Sequence, residues 1–109
     1  MPAFAGMTMG LGRVKGGWVY IMTNKPFGTL YIGVTSDLPA RAWQHRNGLG
    51  SSFCKRHGLT MLVYAEHHDR IDDAIAREKS MKAWKHSWKL RQIVQMNPSW
   101  DDFYETLNH

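Results

Sequence analysis

"LYIGVTSDLPARAWQH", residues 30–45, is the stretch whose reading decides the fold. Its β-branched and aromatic start, up to Thr35, reads as a strand with Gly33 inside it. Ser36 or Asp37 offers an N-cap, Pro39 fits a first helical turn and Gly48 offers a stop, so 36–48 reads as a helix. Arg41 and His45 lie four residues apart and share one helix face. A strand that runs straight into a helix therefore gathers Tyr31, Arg41 and His45 around one corner.

Upstream, "WVYIMTN" (18–24) reads as a strand and "KPFG" (25–28) as a turn, which makes a β-hairpin with 29–35. If the turn holds an even number of residues, Tyr20 and Tyr31 project from one face. Gly33 shares that face and leaves bare backbone beside the tyrosines, the usual mark of a close approach. Downstream, "LGSSFCKRHG" (49–58) reads as a polar, basic loop and 59–68 as a third strand. Residues 70–96 read as helical with a break near His86–Ser87, ended by "NPSW" (97–100). The start of the chain has no clear period, so residues 1–16 read as a flexible leader and 17–105 as one domain.

The 109-residue chain carries a net charge of +5, which favours an anionic partner, nucleic acid above all. Its single cysteine, Cys54, excludes an intramolecular disulfide framework and suits a cytoplasmic protein. The sequence has no apolar run long enough to span a membrane. From Arg77 to Arg91 the only acid is Glu78, set among Arg77, Lys79, Lys82, Lys85, Lys89 and Arg91. The lysines suit phosphate contacts, while the interleaved Trp84 and Trp88 read as core. Lys55 and Arg56, in the loop, are further candidates to touch a nucleic-acid backbone. Glu78 falls on the apolar side of its helix by spacing, where a carboxylate needs a partner or a task. It is either ion-paired to a neighbouring lysine or arginine, or a ligand for a hard cation such as Mg²⁺ that fills its shell with water and phosphate oxygens.

These residues resemble, in order and spacing, the GIY-YIG nuclease family, over about residues 17–103. The likeness is to its small stand-alone bacterial members, to the excinuclease N-terminal domain of that family and to the GIY-YIG homing endonucleases. "VYI" (19–21) stands where the first motif belongs, with Trp18 and Val19 in place of its Gly-Ile, and "YIG" (31–33) matches the second. Arg41 and His45 match the family's helix pair, Glu78 its metal-binding glutamate and Asn97 its late asparagine. The resemblance implies an α+β fold, a three-stranded antiparallel β-sheet flanked by α-helices. It also implies metal-dependent hydrolysis of phosphodiester bonds, with Mg²⁺ or Mn²⁺, usually in DNA; apart from the resemblance, RNA is a further candidate substrate.

Within that set, Tyr20 is the candidate to take a proton from the attacking water, with Tyr31 its rival and otherwise an orienting group. A phenol near pKa 10 needs tuning for this task. Arg41 supplies a positive field and a phosphate grip, and His45 a hydrogen bond or proton relay. Glu78 would hold the metal. Gly33 and Asn97 would position the site. Taken singly, the tyrosines read as packing residues and Arg41 and His45 as a solvated helix face. A domain this small, holding phosphates more than base edges, is expected to cut with low sequence specificity. The competing readings are a nucleic-acid-binding module without useful turnover and an interaction protein.

Overall fold

The computed structural model describes residues 15–107, so most of the expected leader lies outside the described residues. Strands β1 (Gly17–Thr23), β2 (Leu30–Thr35) and β3 (Met61–His68) form one antiparallel sheet in the order β2-β1-β3. Four helices surround it: α1 (Leu38–Arg46), α2 (Ser52–His57), α3 (Ile71–Ala83) and α4 (His86–Met96). A 3-10 turn, Phe103–Leu107, closes the described chain. The architecture is the expected α+β one.

β1 is central and buried along its whole length, so its alternation points apolar residues to both sides. Trp18, Tyr20 and Met22 pack with Leu38 and Ala42 of α1 and Cys54 of α2 on one face. Val19 and Ile21 pack with Ala74 and Met81 of α3 and Ile93 of α4 on the other. The hairpin pairs Tyr20 with Gly33 and Met22 with Tyr31, which puts both tyrosines and the glycine on the α1 face.

Pairing of β1 with β3 slips between Ile21 and Met22, which oppose Tyr64 and Leu62 and leave Val63 as the extra residue of a bulge. A bulge strands backbone groups, and two side chains collect them. Asn97 Nδ2 donates to the Val63 carbonyl at 3.0 Å, and Leu62 N–H donates to Asp102 Oδ1 at 3.1 Å. Asn97 is 2% exposed and also bonds both backbone groups of Asp101. Asp102 in turn meets Arg46 Nη2 of α1 at 2.9 Å. Asn97 thus holds the chain segment that anchors α1.

Three local expectations are corrected. The stretch 49–58 is not all loop: Ser51 caps α2, and Gly58, with φ of 66°, ends it in the left-handed region. Lys55 and Arg56 therefore sit on a helix, both exposed. The long helix breaks at Trp84 and Lys85, whose extended ψ values of 154° and 147° separate α3 from α4 two residues before the expected point. Trp84 does pack against the core, but Trp88 remains 47% exposed beside it.

Candidate active site

The corner between β2 and α1 is built tightly. Asp37 accepts from Ala40 N–H at 3.2 Å to start α1, and Thr35 Oγ1 accepts from Asp37 N–H at 3.1 Å. The buried stripe Leu38, Ala42 and His45 then seats α1 on the sheet, and Arg41 lies beside that stripe. His45 Nε2 lies 2.8 Å from Tyr20 Oη, and Arg41 Nε donates to the same oxygen at 3.3 Å. The Tyr20 hydrogen bond, and less strongly the Tyr31 phenol, hold the Arg41 pKa above its ordinary value against the opposing effect of burial.

Two glycines make room for this group. A Cβ at Gly33 would stand 2.5 Å from the Tyr20 hydroxyl and ring, so only a bare backbone fits opposite that phenol. A Cβ at Gly50 would stand 2.7 Å from His45 Nδ1. Tyr20 is 1% exposed and His45 2%.

Arginine is a donor only, so the Tyr20 hydroxyl proton goes to the remaining neighbour, His45 Nε2. This places the imidazole proton on Nδ1, which is buried without a protein partner among the described residues. Burial, followed by the Arg41 charge, lowers the His45 pKa to about 4, so the ring is neutral at pH 7. Burial is also the largest influence on Tyr20 and raises its pKa above the ordinary phenol range. The Arg41 hydrogen bond opposes that rise but does not cancel it.

Tyr31, half-buried, lies further out. It lines an open groove of about 920 Å³ with Phe53, Lys25, Lys82, His86 and Lys89. A second groove joins Val34, Thr35 and Arg41 to Ile71 and Ile75 of α3. On α3, Ile75 lines the second groove and Lys82 the first, and Glu78 stands between these two in helical spacing without lining either groove. Its side chain is 13% exposed and its carboxylate is 3.0 Å from Lys82 Nζ.

The structure therefore brings Tyr20, Tyr31, Arg41, His45 and Gly33 together. It places Glu78 on α3, which packs against the other face of the sheet, in the ion pair of the simpler reading. Asn97 stands away from them, at the β3 bulge. Of the basic candidates, Lys82 and Lys89 line the large groove. Lys79 and Lys85 do not, and Lys85 Nζ lies over the Trp88 ring at 5.9 Å. Sequence reasoning missed Lys25, Phe53, His86 and Gly50. Lys25, in the hairpin turn, was the one readable signal; the others depend on how α2 and α4 pack.

A family model described as the GIY-YIG catalytic domain matches residues 16–92, from the start of β1 into α4. A UPF0213 protein of Staphylococcus saprophyticus is 34% identical over 78 residues, which cover 72% of this chain and 94% of that protein. UPF0213 proteins of Staphylococcus epidermidis and Staphylococcus aureus are 35% identical over 68 residues, covering 62% of this chain and 83% of theirs. No solved structure matches the chain significantly.

Proposed function

This chain belongs to the GIY-YIG catalytic domain family, a family of nucleases, and on that premise we propose that it is an endonuclease that hydrolyses phosphodiester bonds in DNA with low sequence specificity. The observation that carries the reading is the Tyr20 hydroxyl, held between His45 Nε2 at 2.8 Å and Arg41 Nε at 3.3 Å, with its ring 6.4 Å from that of Tyr31, which lines a groove with three lysines.

The proposed steps follow from those contacts. Lys82, Lys89 and Lys25 draw the backbone into the groove, and Arg41 grips the reacting phosphate. Tyr20 takes a proton from the attacking water as its own proton passes to His45 Nε2; the resulting hydroxide attacks phosphorus and the ester oxygen leaves. The incoming phosphate charge beside Arg41 offsets the positive charge that His45 gains. Tyr31, on the groove wall, orients the water or the phosphate.

Among the described residues no group of three or more His, Cys, Asp or Glu side chains forms a metal cage. A single carboxylate suits a hydrated hard cation that draws its other oxygens from water and phosphate. Glu78 would hold Mg²⁺ or Mn²⁺ in that manner, in exchange for Lys82. When bound, the cation supplies charge relief at the leaving oxygen.

The test is a cleavage assay on labelled DNA in Mg²⁺, Mn²⁺ or EDTA, with Tyr20→Phe and Glu78→Ala alongside. Metal-dependent cutting that Tyr20→Phe lowers by about 10³-fold and Glu78→Ala abolishes is the expected result. The Glu78–Lys82 ion pair favours a second reading, a nucleic-acid-binding module without turnover. Salt-sensitive binding with no cutting of DNA or RNA in any metal would decide for it.

A further inference from the structure

Phe53 is not explained by the core. It is 41% exposed on a helix whose one buried side chain is Cys54. Yet its ring is not isolated. It lies 6.3 Å from the Tyr31 ring, nearly parallel at 29°, and 4.5 Å from the exposed His57. It also lines the groove that Tyr31, Lys25, Lys82 and Lys89 share. The groove's lining holds three lysines and no carboxylate, so its charge suits a polyanion. An aromatic surface adjoining a row of cations is the pairing that single nucleotides use, with the phosphate held by charge and the base by stacking. The α2 caps fix the short helix that carries this ring: Ser51 accepts from Cys54 N–H, and Gly58 ends the helix one residue after His57.

We propose that Phe53 is a base-stacking subsite, which takes the nucleobase next to the phosphate held at Arg41 and so sets the register of the strand in the groove. The inference rests on the nuclease reading for the position of that phosphate. A base that stacks there has left its partner, so the subsite favours unpaired nucleotides over paired ones. Phe53 acts on positioning through the substrate and takes no part in proton transfer.

The test compares binding of a ten-residue thymidine DNA oligomer with that of an abasic oligomer carrying the same number of phosphates, in EDTA at low salt. The full chain and its Phe53→Leu and Phe53→Trp variants are used. The wild-type chain is expected to bind the thymidine oligomer roughly tenfold more tightly than the abasic one. Phe53→Leu should erase that ratio while leaving abasic affinity in place, and Phe53→Trp should keep it. A ratio that Phe53→Leu leaves unchanged overturns the subsite. If the same protein still cuts DNA in Mg²⁺, the nuclease reading survives that result. Failure of the wild-type chain to bind either oligomer and to cut DNA overturns both.

Discussion

Tyr20 and Tyr64 are each 1% exposed, sit on neighbouring strands and face opposite sides of the sheet. Each has a histidine and an arginine in its network, yet the two networks differ in what surrounds the phenol oxygen. Tyr20 Oη meets Arg41 and His45, with no carboxylate. Tyr64 Oη donates to Glu66 Oε1 at 2.8 Å and accepts from Gln92 Nε2 at 3.2 Å. Glu66 Oε2 in turn lies 2.7 Å from His68 Nε2 and 3.0 Å from Arg77 Nε. Burial raises both phenols, but the next influence has opposite sign: Arg41 favours the anion at Tyr20, whereas Glu66 opposes it and Tyr64 is pushed up to about 12. In the nuclease reading proposed above, the first network passes a proton from Tyr20 to His45 although burial outweighs the Arg41 hydrogen bond and keeps the phenol protonated. The other fixes a proton in place and ties β3 to α3 and α4.

The largest test of this contrast is catalytic. The about 10³-fold loss expected for Tyr20→Phe corresponds to about 4 kcal/mol of barrier. Tyr64→Phe should leave cutting within a few-fold of wild type and instead lower stability by about 1–2 kcal/mol, read by urea unfolding. An inactive but stable Tyr64→Phe chain would break the distinction.

Acid sharpens it next. His45 has a folded pKa of about 4 against an ordinary 6.5. Above pH 6.5 the ring is neutral in both states and nothing changes. As pH falls from 6.5 toward 4, the unfolded chain takes a proton that the folded chain refuses, so stability drops, by about 3 kcal/mol at most. His45→Gln should flatten that part of a urea-midpoint profile.

Glu66 titrates in a lower window. Burial raises its pKa, but hydrogen bonds from Tyr64, His68 and Arg77 outweigh burial and hold the carboxyl below its ordinary 4.5. Its contribution is therefore present above that pH and fades as the folded group is protonated. Glu66→Gln, which leaves Arg77 without its ionic partner, should cost about 1.5 kcal/mol at pH 7 and remove only the acid limb. An unchanged acid limb in that variant would show that Glu66 carries no net stabilisation.

The Tyr20 network was the more legible of the two. Strand alternation put Tyr20, Tyr31 and Gly33 on one face, and helical spacing joined Arg41 to His45. The Tyr64 network was not anticipated. Period two does align Tyr64, Glu66 and His68 on one face, but Arg77 and Gln92 arrive only through packing of α3 and α4. The adjacent His67 and His68 point to opposite faces, one to the Trp18 ring and one to Glu66. α2 escaped notice because six residues with one buried side chain carry no readable period. The break between α3 and α4 has neither proline nor glycine to announce it. Arg77 lies over the Trp84 ring at 4.9 Å, two turns along the same helix, where α3 ends.

The bare backbone at Gly33 also limits how this sequence can change. A side chain at position 33 would strengthen an otherwise weak point in the strand, but the Tyr20 phenol already occupies its space. The two positions are epistatic: alanine at 33 becomes acceptable only in a background that has first lost the ring at 20. Any mutational path to a sturdier β2 thus passes through a chain with no hydroxyl for His45 and Arg41 to address. A library that randomises both sites together should return either the tyrosine–glycine pair or filled strands without the tyrosine, and few intermediates.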